Sequence, residues 1–226
     1  MRIVAIVLGA FAYCLLSPVL PDVAVGVDGA IGTVIVFAAV LAAAQLSDEL
    51  LAAILVGLGA GMIAAVLTAS GQDVAATVPE AVTCACIGAL FARGMELPAL
   101  VLAVPLVVAV IDAVSVGSGG VPFSFDGTSG DVLSLDIPAW GGGTALRVGI
   151  ADPIFAAVFF TWARRFGLRG RATAAAMLVA VLAAVLLTVS ADVTVPALPL
   201  LAAAFYLPNL DRLGRLLRDR PDVARS

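Results

Sequence analysis

Apolar residues along this chain come in long blocks separated by short polar breaks. A helix needs about 20 mostly apolar residues to cross the hydrocarbon core of a bilayer. Block after block reaches that length. The pattern predicts about eight spans, near residues 3–20, 30–47, 50–69, 75–92, 97–117, 144–163, 171–190 and 193–208. The expected fold class is therefore all-α, a polytopic transmembrane helix bundle. Alanine, valine, leucine and glycine dominate the blocks, and small residues let helices approach closely in lipid. No internal repeat is visible. Three units follow: an N-terminal bundle of about four spans over 1–95, a second half over 96–208, and a charged tail over 209–226.

Two segments fall outside the spans. Residues 118–143 are rich in glycine and carry Asp126, Asp131 and Asp136. Within them, Val132-Leu133-Ser134-Leu135-Asp136-Ile137 alternates as a strand does. A plain external loop is the alternative. The tail reads as a short amphipathic helix, Leu210 to Leu217, followed by disorder. Arg2 and the apolar run behind it resemble the start of a signal peptide. Ser17-Pro18-Val19-Leu20-Pro21 lacks a small-x-small cleavage site, so the segment is read as the first span.

Composition agrees with the pattern. Of 226 residues, 62% are hydrophobic and 12% charged, against about 25% charged in a soluble domain. The chain has no histidine, which removes the usual general base and the commonest metal ligand. Cys14, Cys84 and Cys86 read as apolar packing residues: Cys84-x-Cys86 is too tight for a zinc pair and has no second half. No cofactor and no metal are expected. The net charge of −4, with no large basic patch, points away from nucleic acid. The expected partners are the lipid bilayer and whatever the spans recognise within it. The oligomeric state is open.

Basic residues set the expected orientation. Arg164, Arg165, Arg169 and Arg171 lie between spans six and seven, and Arg212, Arg215, Arg218 and Arg220 lie in the tail. Both regions are expected inside. Counting back, Arg93 and Arg2 also fall inside, while Asp22, Asp28, Asp73, residues 118–143 and Asp192 fall outside. The expectation is a multi-pass protein of the cell membrane with both termini in the cytoplasm.

Asp112 and Asp152 are the two aspartates inside expected spans. An ionisable group there costs about 2.5–3.5 kcal/mol on insertion scales and is a functional candidate by default. Asp112 lies about five residues from the outer end of span five, roughly 8 Å. Asp152 lies about eight residues into span six, roughly 12 Å. Consecutive helices thus bring two carboxylates to similar depth. At about 4 Å apart they would repel by about 4 kcal/mol, enough to share one proton. Such a pair activates water without histidine or metal. An ion or proton site in a transporter fits the same spacing. So does snorkelling to the interface, or pairing of Asp152 with Arg147.

The flanking residues narrow this choice. Ile111-Asp112-Ala113-Val114-Ser115-Val116 resembles the first catalytic motif of the presenilin and signal peptide peptidase superfamily of intramembrane aspartyl proteases. Gly149-Ile150-Ala151-Asp152 is similar to its Gly-x-Gly-Asp motif, and Pro196-Ala197-Leu198-Pro199 to its Pro-Ala-Leu motif. The order of the three also matches, over about residues 97–208. Ile111 stands where the family has tyrosine, Ala151 where it has the second glycine, and one early span is absent.

The resemblance implies an aspartic-type intramembrane endopeptidase that cuts transmembrane helices or signal-peptide remnants. Residues 96–208 would be its catalytic half. Asp112 and Asp152 would be the catalytic pair, with Gly149, Pro196, Ala197 and Leu198 at the substrate. It also implies that the segment joining the aspartate helices holds unwound substrate as a strand. A proton- or cation-coupled transporter and an inactive helix-binding relative remain the alternatives. By depth alone, Pro196 and Pro199 fall about 5–9 Å from the outer face, where prolines remove backbone donors, free carbonyls and make a helix irregular. Irregular backbone at that depth lines a cavity; a simple kink is the alternative. Pro153 is expected to loosen its helix in the same way.

Overall fold

The computed structural model describes residues 2–23, 26–118, 134–191 and 195–218. Val132, Leu133, Asp126, Asp131, Asp192 and the tail beyond Arg218 lie outside the described residues. The first half is four long helices: α1 (Arg2–Leu16), α2 (Val27–Ala43), α3 (Leu50–Ala69) and α4 (Asp73–Gly94). Then come α5 (Pro98–Gly117), the strands β1 (Ser134–Pro138) and β2 (Thr144–Gly149), α6 (Ala151–Arg165), α7 (Gly170–Ala191), α8 (Ala197–Tyr206) and α9 (Leu210–Arg218). The protein is a helical membrane protein. Among the described residues, six helical segments are long and apolar enough to cross a bilayer: α1 to α5, the first two with their 3₁₀ extensions, and α7.

The fold is mainly helical, as expected, with one antiparallel hairpin added. Residues 144–149, expected as the start of the sixth helix, form β2 instead. Its register sets Leu135 opposite Val148, Asp136 opposite Arg147 and Ile137 opposite Leu146. Leu135, Ile137, Leu146 and Val148 are all buried, so alternation and not a helical stripe governs Thr144–Gly149. A short apolar run does not by itself distinguish strand from helix. Helix α6 is consequently 15 residues long, or about 22 Å. Helix α8 is shorter still at 10 residues, about 15 Å.

The hairpin is seated in the bundle. A Cβ on Gly32 would lie 2.6 Å from Ile137 Cγ2, and one on Gly29 would lie 2.7 Å from Leu146 Cδ2. These two glycines, one turn apart on α2, open the groove that takes the hairpin's apolar face. The Thr77 hydroxyl of α4 donates to the Asp136 carbonyl. The turn is tied down as well: Trp140 Nε1 donates to the Tyr13 hydroxyl at 3.0 Å, and the Trp140 N–H to Asp28 Oδ2 at 3.3 Å. Gly141, Gly142 and Gly143 all have positive φ, which glycine adopts without steric cost.

At the centre stands α6, buried at Asp152, Pro153 and all of Ala156–Ala163. It packs closely on α4, and both helices bury small residues, Ala85, Ala89 and Ala92 on α4 and Ala156, Ala157 and Ala163 on α6. Trp162 Nε1 donates to the Ala92 carbonyl at 3.1 Å. By contrast α3 and α5 are largely exposed along their length, as lipid-facing helices are. All three cysteines are buried and free. Glu80 accepts a hydrogen bond from the Thr68 hydroxyl at 3.2 Å, between α4 and α3.

The close approach of α4 and α6 depends on Gly88, where a Cβ would run into the backbone carbonyl of Ile154. A backbone oxygen cannot swing aside as a side-chain tip does. Gly88→Ala should therefore cost about 1–3 kcal/mol, as overpacking does. Gly9→Ala, where an added methyl meets nothing within 4 Å, should be neutral. Thermal unfolding in detergent checks the pair, and equal melting temperatures would contradict the packing.

Candidate active site

Three chain segments meet at one end of the bundle. Helix α5 ends there and carries Asp112 in its last two turns. Helices α6 and α8 begin there. Asp152 stands in the first turn of α6, shallower in its helix than the expected eight residues, because β2 replaces the first turn and a half.

The start of α8 explains what Asp112 does. A helix leaves its first four backbone N–H groups without partners. In α8 these belong to Pro196 at the N-cap, Ala197, Leu198 and Pro199. Proline has no N–H, so two of the four demands vanish. The Leu198 N–H donates to Asp112 Oδ2 at 3.1 Å. The Asp112 carboxylate thus caps a helix 86 residues further along the chain, against the partial positive charge of that helix's N-terminus. The prolines were expected to remove donors, as they do, and also to free carbonyls within a helix. At the N-cap and in the first turn they free none, since no residue precedes them in the helix to lose a bond.

Asp152 is 6% exposed. Among the described residues, the one charged group that acts on it electrostatically is Asp112. The pairing with Arg147 that the sequence left open gives way to another: Arg147 Nε binds Asp136 Oδ1 at 2.7 Å across the hairpin. Gly149 closes β2, opposite Ser134, three residues before Asp152. Ala197 and Leu198 are buried, and Pro196 is half-buried. Ile111 and Ala151, the two positions that depart from the family pattern, are exposed, so neither side chain is packed into the core. Pro153 is likewise in the first turn of α6, where it breaks no hydrogen bond.

The helices that carry the aspartates touch each other only lightly. Helix α8 packs on both and sets their relation. At its far end the Tyr206 hydroxyl donates to the Leu102 carbonyl of α5, while the Phe205 ring meets Phe159 of α6 with centroids 5.7 Å apart. Asn209 then fastens the end of α8 to α7, donating to Phe205 O at 2.7 Å and to Thr173 Oγ1 at 2.8 Å. Phe205, Tyr206 and Asn209 have no counterpart in the motif reading. Their only signal is two aromatic residues and an amide closing an aliphatic span.

Compared with protein-family models, with curated proteins and with solved structures, the chain has no match.

The cap is testable apart from any activity. Asp112→Leu removes the acceptor and leaves the Leu198 N–H unpaired, at a cost of about 1–3 kcal/mol. Asp112→Asn keeps an oxygen acceptor and should cost clearly less. Equal destabilisation of the two variants in detergent would contradict the cap.

Proposed function

We propose that this protein is an intramembrane aspartyl endopeptidase that cuts transmembrane helices with Asp112 and Asp152 as its catalytic pair. The observation that carries this reading is the hydrogen bond from the Leu198 N–H to Asp112 Oδ2. It joins the segment that resembles the family's first motif to the one that resembles its third. The charge of Asp112 also acts on Asp152, which brings the second motif into the same neighbourhood.

In this reading the chain crosses the cell membrane eight times with both termini inside. The crossings of the short helices α6 and α8 are continued by β2 in front of α6 and by Pro196, whose backbone is extended, in front of α8. One aspartate, ionised, takes a proton from a water molecule. The other, protonated, gives its proton to the carbonyl oxygen of the substrate. The water oxygen bonds to the carbonyl carbon to give a gem-diol. Its C–N bond then breaks as the amine takes the proton held by the first aspartate, and one diol hydroxyl returns a proton to the second aspartate as the carbonyl re-forms. Gly149, Pro196, Ala197 and Leu198 line the cleft where the peptide lies. Substrates with a cytoplasmic N-terminus are preferred, which equal cleavage of both orientations would contradict.

Peptide bonds in a helix are held in its own hydrogen bonds, so the substrate must unwind. The hairpin ends at Gly149, beside the dyad, and offers backbone groups for strand addition. A reporter peptide with one N-methyl group next to the scissile bond loses one such donor. It should be cut about 10-fold more slowly, at about 1–1.5 kcal/mol per hydrogen bond. Unchanged cleavage would remove the strand step.

The central test uses a reporter transmembrane peptide and purified protein in detergent. Wild type cuts it, and Asp112→Ala and Asp152→Ala each abolish cutting. A variant that still cuts sinks the paired mechanism. Peptide that binds without being cut by wild type favours the inactive helix-binding relative. Ion uptake into liposomes without proteolysis favours the transporter.

A further inference from the structure

At the end of the bundle away from the aspartates, a cleft of about 440 Å³ opens where α6 ends and α7 begins. Arg164 and Arg171 line it on the polar side, and Phe160, Leu168 and Ala174 on the apolar side. Gln45, in the 3₁₀ turn after α2, lines it as well.

The two arginines are not alike. Arg164 is fixed: it donates to the Gln45 carbonyl at 3.2 Å and pairs with Asp48. Arg171 is exposed and has no partner among the described residues, whereas the neighbouring Arg165 and Arg169 pair with Glu96 and Asp211. Helix α7 adds to the positive field. Its N-terminal Gly170 N–H is taken by Leu168 O and the Thr173 N–H by Arg169 O. The N–H groups of Arg171 and Ala172, between them, have no partner among the described residues. Gly170 lies against the stem of Arg164, with room for a Cβ only 3.3 Å from Arg164 Cγ. Two arginines against one carboxylate, Asp48, leave a net positive charge beside a helix N-terminus, which favours an anion.

We propose that this cleft binds an anionic phospholipid. The phosphate would sit between the Arg171 guanidinium and the start of α7, and the first acyl carbons would lie on Phe160, Leu168 and Ala174. A bare anion would leave that apolar wall unused. The position also fits: α7 is long and apolar enough to cross a membrane, so its first turn stands at headgroup level. Basic pockets between spanning helices bind such headgroups. This site does not depend on the proteolytic reading.

Native mass spectrometry of the full chain, purified in detergent with equal phosphatidylglycerol and phosphatidylcholine, tests it. Wild type should retain phosphatidylglycerol over phosphatidylcholine by about fivefold, the factor one arginine near a lipid surface contributes. Arg171→Gln should bring the two to parity. Ala174→Trp, which fills the apolar half without changing charge, should lower retention of phosphatidylglycerol as well. Arg215→Gln, on the exposed face of α9, should leave the ratio unchanged. Parity in wild type, or full retention in both cleft variants, overturns the proposal. Loss of the lipid to millimolar inorganic phosphate would show a bare-anion site and overturn it too.

Discussion

A helix that starts inside a low-dielectric bundle must account for its first four N–H groups. In α8 the solution combines two prolines with one carboxylate from another helix. Pro196 and Pro199 delete two donors, and Asp112 accepts a third, from Leu198. An unmet donor in such surroundings costs about 1–3 kcal/mol, so the start of α8 and the position of Asp112 constrain each other. Through α8 the constraint reaches further. Tyr206 holds its far end to α5 and Phe205 holds it to α6, and these two helices carry the aspartates. A carboxylate engaged in this way has a fixed rotamer and a fixed neighbour. A reaction that asks two carboxylates to act on one water needs that kind of order.

A second constraint acts on Asp152. The hairpin ends just before α6, and its apolar face is locked into α2 by Gly29 and Gly32 and to α4 by Thr77. The Trp140, Tyr13 and Asp28 contacts hold the turn. The N-terminal helices thus do more than fill the bilayer: they position the strand that leads into α6. Behind it, Gly88 admits the Ile154 carbonyl and lets α6 sink between α4 and α8. Pulling the first turn of α6 out of line would need several of these seats to give at once.

Much of this was legible in the residues, and the exceptions have physical causes. The long apolar blocks identified α1 to α5 and α7 because twenty apolar residues have few other uses. The tail helix was legible because Leu210, Leu213 and Leu217 recur at helical spacing between charges, as α9 bears out. The shared neighbourhood of Asp112 and Leu198 followed from helix order and depth. The start of α6 was misread because Thr144–Gly149 is as apolar as the span that follows, and only its pairing with Ser134–Pro138 makes it a strand. The prolines remove donors as expected but free no carbonyls, since a proline's effect depends on its distance from the helix start. Gly29, Gly32 and Gly88 were invisible among 22 glycines. Each matters only for the atom that faces it.

The account stands or falls on whether Asp112 and Asp152 act on one reacting carbon. A peptide bearing a hydroxyl at the tetrahedral position mimics that species, and transition-state analogues bind at least about 100-fold tighter than the matching ground-state ligand. The decisive measurement is the ratio of its affinity to that of the same peptide lacking the hydroxyl, for wild type, Asp112→Asn and Asp152→Asn. The account predicts a ratio of at least about 100 in wild type, collapsing toward one in each variant. A wild-type ratio near one, or a high ratio that survives either substitution, would contradict it.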